Sequence, residues 1–402
     1  MAKSGNRILW IDGLRGVACL AIFAHHFGCC FSPVTQFGPD AEYASPLSVA
    51  LAQSPLGVFL NGNFWVCVFC LIAGFVASFG SFSPPERELS SLRRSSGRLL
   101  NRYLRLTLPV FVISLAVLLL VKLHLFTNGA FFRRYGIYWA SLSYVEDYYT
   151  LPSLLRESFL KLCFVGTDKF VMVLWSIRYL FYGYFVSLLL AQMSWGRNRR
   201  ILWVYLFCSL CCLAGGESLA LYACFPVGTA LAWLSAHGQR PSRPLLALPL
   251  MLCGLILGGF PTYFHPTNFY RFLDWGDAAP WTWHVLGASL LCTGFFLSPA
   301  LQKLLSRPPF QWLGKLSFSL YLVHVPVLLS VGTGCAVLLS DWGIQSYGLM
   351  SALSASVTLA AVLLVSALFW RFVEQPCTRL SRKLLSLLES PSTSSESAAQ
   401  SK

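Results

Sequence analysis

The chain has 402 residues, of which 56% are hydrophobic and only 11% charged, with a net charge of +14. Soluble domains carry roughly 25% charged residues, so a soluble enzyme, a disordered chain and a secreted disulfide scaffold are disfavoured. Positive charge in so apolar a chain points to a membrane protein with basic loops on one side. A nucleic-acid binder would need that charge on one soluble face, which the sequence does not provide.

A bilayer core of ~30 Å takes about 20 mostly apolar residues per helix. Ten such segments are read: Leu14–Phe31, Val58–Phe79, Leu106–Val121, Val171–Ala191, Ile201–Ala214, Leu219–Leu234, Leu245–Phe260, Trp281–Leu301, Leu316–Leu339 and Tyr347–Trp370. The fifth to seventh are short and broken by Gly or Pro. The expected fold is therefore an all-α polytopic bundle of about ten transmembrane helices. The first segment is not read as a cleaved signal peptide, because it holds Arg15, His25 and His26 and lacks a clear small-residue cleavage site.

The basic residues alternate by loop. One side collects Lys3, Arg7, Arg15, the run from Arg87 to Arg105, Arg197–Arg200, Arg240, Arg243, Lys303, Arg307, Lys315 and those after Trp370, which is 22 of the 30 Lys and Arg. Such residues stay cytoplasmic, so both termini are expected there and the number of spans must be even. Two outer stretches are long. Ser32–Gly57 has no Lys or Arg. His124–Phe170 carries Arg133, Arg134, Glu146, Asp147 and an amphipathic piece from Pro152 to Phe164, which either lies on the membrane surface or packs on the outer loops. No loop is long enough to fold alone. Residues 1–385 are read as one transmembrane domain and 386–402 as a disordered, Ser-rich cytoplasmic tail. A plasma-membrane location is expected.

Most of the 14 cysteines lie inside spans. Cys67 with Cys70, and Cys208, Cys211 and Cys212, have metal-like spacings. Without His or carboxylate neighbours in sequence they read as small apolar residues, and no metal is expected.

Ionisable residues inside a span are costly and usually face a cavity or a partner. Arg15 and His26 are eleven residues apart, about 1100° of helical rotation, so they share one face. They are roughly 16 Å apart along the axis. His25 is turned by a further ~100° and is the weaker candidate. A lone intramembrane His often bonds only a backbone carbonyl; an Arg on the same stripe favours function.

Arg98, Arg102 and Arg105 share a helix face, with Pro109 following. A stop-transfer cluster explains Arg93 and Arg94. Arg102 and Arg105 run into the apolar segment and suit a phosphorylated ligand. Trp175, Ser176 and the intramembrane Arg178 mark the fourth span. Ser317, Tyr321 and His324 fall at i, i+4 and i+7, one stripe. Arg371 and Glu374 sit at the last boundary, where Glu374 is expected to pair with a basic residue. Gly62, Gly74 and Phe75 read as tight packing; Asn63 needs a partner.

These residues resemble the acyltransferase-3 family of integral membrane O-acyltransferases. The similar stretches are Ile11-Asp12-Gly13-Leu14-Arg15-Gly16 followed by His26; Asn61-Gly62-Asn63-Phe64-Trp65-Val66 through Ala73-Gly74-Phe75; Arg102-Tyr103-Leu104-Arg105 with Leu108-Pro109; Trp312-Leu313-Gly314-Lys315-Leu316-Ser317 to Tyr321-Leu322-Val323-His324; and Val373-Glu374-Gln375-Pro376. The resemblance covers about residues 7–385. Each motif is modest alone; five in order are specific.

The resemblance implies transfer of an acyl group, commonly acetyl, from cytoplasmic acyl-CoA to a hydroxyl of a saccharide or lipid-linked acceptor. Arg102 and Arg105, with Arg98, would hold the CoA phosphates. Arg15 would hold the same ligand or orient its pantetheine arm. His26 would serve as general base or carry the acyl group transiently. Tyr321, His324, Ser317 and Arg178 would line the acceptor passage. No bound cofactor is implied beyond the acyl-CoA substrate. One departure stands out: where many members continue Trp-Ser-x-Arg to a glutamate, this chain has Leu180. It also lacks the fused hydrolase-like domain of some members, so it would reach its final acceptor itself or through a partner protein.

The rival from another class is a multi-pass transporter or flippase for a polar or anionic solute. It would use the same Arg and His residues. The halves show no internal repeat, which counts against it. A scaffold without activity leaves Arg15 and His26 unexplained.

Overall fold

A computed structural model describes residues 8–41, 43–82, 90–141, 148–193, 198–238, 242–263, 265–266 and 269–389. Lys3, Arg7, Arg87, Arg197, Arg240, Glu146, Asp147 and residues 390–402 lie outside the described residues, and of Arg93 and Arg94 only the helical path is described. Among the described residues the chain is all helix and loop, with no strand.

Each of the ten apolar segments coincides with helix. They form α1 (Leu9–Phe31), α2 (Gly62–Phe79), α3 (Ser90–Lys122), α4 (Ile177–Met193), α5 (Ile201–Ala214), α6 (Cys224–Ala236), α7 (Pro244–Gly258), α8 (Ala279–Leu297), α9 (Pro299–Leu305), α10 (Pro308–Val327), α11 (Thr333–Asp341), α12 (Tyr347–Phe369) and α13 (Gln375–Glu389). Seven helical stretches are long and apolar enough to cross a membrane, and α8 with α9 forms an eighth bent by 97°. The break has a local cause: Ser298 caps α9 through its hydroxyl, and Pro299 opens that helix. The remaining two, α5 and α7, have 14 and 15 residues and are too short to cross straight. The chain is thus a multi-pass membrane bundle.

Two spans are locally rewound. Between α10 and α11 lies a π segment, Leu328–Gly332, just after Pro326. Proline removes an N–H donor from the ladder, and π turns absorb such defects. Thr127 closes this segment from outside by donating to the carbonyl of Ser330. A second π segment, Trp370–Glu374, leads into α13.

The central pair is α1 with α10, flanked by α2 and α9. In lipid, helices associate through close packing rather than the hydrophobic effect, so small residues mark the seam. At Gly16 a Cβ would lie 2.7 Å from Gly314 N, and one at Gly314 would collide with the carbonyl of Asp12. The two backbones touch here. We expect Gly16→Val to force them apart and cost about 1–3 kcal/mol or more. A lower thermal unfolding midpoint in detergent would register this; an unchanged midpoint would contradict the contact.

The amphipathic piece forms helix across Leu151–Leu155, a π segment Arg156–Lys161 and Leu162–Phe164. It packs against α3 and α4. Leu154, Leu162 and Cys163 are buried while Leu155, Leu160 and Phe164 are exposed. Tyr103 on α3 donates to the Phe159 carbonyl at 2.7 Å. Buried Glu157 accepts from Tyr148 at 2.8 Å and pairs with Lys161 at 3.0 Å.

Candidate active site

The polar stripes of α1 and α10 face each other. At one end Arg15 Nε donates to Ser317 Oγ at 2.8 Å, and its Nη2 donates to the Gly314 carbonyl at 2.9 Å. Asp12 Oδ1 lies 3.6 Å from the same guanidinium. One turn on, the Cys19 thiol donates to the Ser317 carbonyl at 3.0 Å. At the other end His26 Nδ1 lies 3.1 Å from His324 Nε2. Eleven residues on α1 and seven on α10 thus meet at both ends.

The proton positions in the histidine pair follow from its partners. His324 Nδ1 lies 3.0 Å from the Leu320 carbonyl, and His26 Nδ1 lies 2.9 Å from the Ile22 carbonyl. A carbonyl only accepts, so both Nδ1 atoms carry the proton. His324 Nε2 then accepts from His26 Nδ1–H, which is shared with Ile22. This leaves His26 Nε2 as the unprotonated nitrogen, assigned from the network. His324 therefore holds the tautomer of His26, the role a second partner plays for a catalytic imidazole.

His26 lines a cavity of about 640 Å³. That volume suits a small organic ligand or one unit of a larger one. The floor holds His25, His26 and Tyr321, and the walls include Trp139, Trp175 and Trp281. Trp139 comes from the outer loop and leans over His26, with ring centroids 6.1 Å apart. Tyr321 closes the bottom: its hydroxyl donates to the Val173 carbonyl at 2.7 Å and lies 2.7 Å from Ser176 Oγ. His25 Nδ1 is held by the Leu60 carbonyl at 2.7 Å.

The mouth is polar and lies at the end opposite Arg15. It carries Glu217, His265, Asp274 and Asp277. His265 Nδ1 meets Asp274 Oδ2 at 2.7 Å, and Gly276 N donates to Asp274 Oδ1 at 3.0 Å. The hydrogen bond and charge of Asp274 raise the pKa of His265, and the same bond lowers that of Asp274. A raised histidine contributes stability that is fully present below its ordinary value and is lost as pH rises through its folded value. Its imidazole is exposed, so the effect is small. We expect the 269–281 segment to exchange amide hydrogens more slowly at pH 6 than at pH 8, after correction for intrinsic rates, and Asp274→Asn to erase the difference. Equal protection at both pH values would contradict the pairing.

The arginines gather at the other end. Arg102 donates to the Leu180 carbonyl at 3.5 Å and lies over the Tyr184 ring, 5.4 Å from its centroid. Its Nε is buried with no hydrogen-bond partner among the described residues. Arg105 is exposed and within electrostatic reach of Arg102, Arg15 and Glu374. Arg98 is exposed and donates to Ser81 Oγ at 3.4 Å. Where the resemblance leads one to expect a carboxylate, the Leu180 backbone carbonyl meets Arg102 instead.

The two groups of expected residues therefore separate. His26, Tyr321 and Arg178 line the cavity; His324 is buried behind His26; Ser317 lies with Arg15, Arg98, Arg102 and Arg105 at the basic end rather than in the acceptor passage. Arg178 sits in the first turn of α4, where Nη1 donates to the Val165 carbonyl at 2.9 Å and Nη2 to Tyr179 OH at 2.8 Å. Glu374 accepts from the Ser319 hydroxyl at 2.6 Å and lies within electrostatic reach of Arg15 and Arg105. Asn63 finds Tyr263 OH at 3.4 Å.

Sequence reasoning missed Trp139, Glu217, Tyr263 and Asp274, which lie in connecting segments or short helical turns and carry no periodic signal. It also missed Asn61 and His284. Asn61 Nδ2 bridges the Gly258 and Phe260 carbonyls at 3.0 and 2.8 Å and meets His284 Nε2 at 2.9 Å. An intramembrane histidine in the eighth segment was the available clue. The cysteines carry no ligand set: Cys67 and Cys70 are buried in α2, and among the described residues no three His, Cys, Asp or Glu side chains converge as a metal site.

Comparison with known proteins gives three matches. The acyltransferase-3 family, described as an acyltransferase domain, matches residues 8–371. Acyltransferase R4 of Phoma sp. is 31% identical over 114 residues, 27% of this chain and 24% of that protein. Acyltransferase clz18 of Cochliobolus lunatus is 32% identical over 108 residues, 25% of this chain and 22% of that protein. The aligned part is thus about a quarter of the length of these relatives. No solved structure matches. With nearly every span inside the matched region, and the arginine and histidine motifs of α1, α3 and α10 in order, this chain belongs to the acyltransferase-3 family of membrane acyltransferases.

Proposed function

We propose that the protein transfers an acyl group, acetyl in the first instance, from cytoplasmic acyl-CoA to a hydroxyl of an acceptor held in the cavity. The observation that carries this reading is the His26–His324 pair, which leaves Nε2 of the cavity-lining His26 unprotonated, with a cluster of arginines at the other end of the α1 stripe. His26 Nε2 takes the proton of the acceptor hydroxyl as its oxygen attacks the thioester carbonyl. The C–S bond breaks, and the CoA thiolate leaves with the proton returned by His26. His26 as a transient acyl carrier uses the same nitrogen.

The arginine end faces the cytoplasm, as do both termini, by the distribution of basic residues. Arg102 and Arg105 hold the CoA phosphates, with Arg98 at the entrance. Arg15 lies roughly 16 Å from His26 along α1, a gap of the order that a pantetheine arm spans. The Tyr321, Val173 and Ser176 contact must open for that arm to reach His26. Trp139, Trp175 and Trp281 with Glu217, Asp274 and Asp277 suit a hydroxylated ring, stacked on its apolar face and bonded at its edge. A saccharide or lipid-linked acceptor, entering from the non-cytoplasmic side of the plasma membrane, has that chemistry. It is reached by this chain directly or through a partner protein. Neither nucleic acid nor a resident cofactor is called for.

Sealed vesicles of known orientation test the sidedness. Labelled acetyl-CoA offered to the arginine face should label acceptors, and the same donor offered only to the cavity face should not. Equal use from both faces would contradict the two-sided arrangement.

A further inference from the structure

The C-terminal helix α13 adds a cation to the arginine end that neither the stripe of α1 nor that of α3 contains. α13 packs along α3. Ser381 is fully buried there, and its hydroxyl donates to Asn101 Oδ1 at 3.0 Å. Asn101 precedes Arg102 and lies one turn before Arg105, so this bond sets the neighbouring Arg382 beside the arginine face of α3. Arg382 is exposed and within electrostatic reach of Arg105. Arg105 also reaches Arg15 and Arg102.

Three helices therefore bring Arg15, Arg102, Arg105 and Arg382 to one end of the bundle, with two carboxylates among them: Asp12 beside Arg15, and Glu374 within electrostatic reach of Arg15 and Arg105. Glu374 already accepts from Ser319 at 2.6 Å. Like charges near a protein surface repel by kcal-scale energies at short range, and two acids leave two of the four guanidiniums unbalanced. The missing charge is an anion, and guanidinium geometry favours phosphate.

We propose that Arg382 is a phosphate-binding residue of the donor site, completing a cluster for the several phosphates of coenzyme A. The proposal rests on acyl-CoA being the donor. A phospholipid headgroup offers the same phosphate chemistry, and Leu380 and Leu384 beside Arg382 on α13 are exposed, so that source is tested separately.

The full-length protein in phosphatidylcholine nanodiscs is titrated with CoA. Arg382→Gln should weaken CoA binding about five- to tenfold, as for one charge-assisted contact at an exposed site. Arg382→Lys should recover part of the loss, because it keeps the charge. Equal losses in both variants would mean a packing role and overturn the proposal. Unchanged CoA affinity in Arg382→Gln, with affinity lost on neutralising Arg102 and Arg105, would overturn Arg382 while leaving the donor reading intact. Unchanged CoA affinity, with retention of phosphatidylglycerol lost in parallel nanodiscs that contain it, would assign Arg382 to lipid and overturn the proposal. Wild-type protein that binds no CoA would remove the donor reading, and the proposal with it.

Discussion

Replacing His26 by alanine is expected to lower acyl transfer by about 10²- to 10⁴-fold, the span of a general base, with the protein still folded in the membrane. His26 is the one residue joining the α1 stripe, the His324 contact and the cavity floor. Its Nδ1 proton is committed to Ile22 and His324, so Nε2 alone can take a proton from a hydroxyl. Alanine leaves Nε2 of His324 without its donor, and an unsatisfied buried acceptor costs about 1–3 kcal/mol. A monodisperse elution profile must therefore accompany the activity measurement. Full activity in a well-folded variant would remove His26 from the chemistry.

The second large effect is on the donor. Replacing Arg102 and Arg105 together by glutamine should raise the acyl-CoA concentration for half-maximal rate by about 100-fold, with a smaller change in the maximal rate. Hydrogen bonds to charged groups contribute roughly 1.5–3 kcal/mol each, and at least one of these residues is partly exposed, which lowers the sum. Arg102 should carry more of the effect than Arg105. Its Nε is buried and unpartnered, and its guanidinium is already ordered over Tyr184. Steady-state kinetics at varied acetyl-CoA would separate the two parameters. An unchanged dependence on acyl-CoA would return the cluster to a stop-transfer role.

The parts of this arrangement that were legible in the sequence are those written along single helices. Arg15 with His26, and Ser317 with Tyr321 and His324, repeat at helical spacing, and polar groups at such spacing in lipid must share a face. That the two stripes would meet at both ends follows only once Gly16 and Gly314 bring α1 and α10 into backbone contact. The ten apolar segments were legible for the same reason. The shortness of α5 and α7 was legible as well, but the bend at Ser298 was not, because hydropathy measures composition rather than path. The cavity was hidden. Trp139, Glu217 and the Tyr263 and Asp274 pair reach it from three separate connections, and no local pattern links them. Arg382 was hidden too, since its place depends on α13 folding back along α3 through Ser381. Leu180 shows the limit of reading one position. The side chain cannot serve Arg102, yet its backbone carbonyl lies within hydrogen-bond reach of it.

The most direct measurement is incubation of the purified protein in lipid, with extracted membrane or wall glycans and labelled acetyl-CoA. The account predicts label transferred to a hydroxyl of the glycan or lipid-linked fraction by the wild type, and loss of that transfer in His26→Ala. No transfer by the wild type, with movement of an unmodified anionic or polar solute across the bilayer instead, would contradict it and establish the transporter.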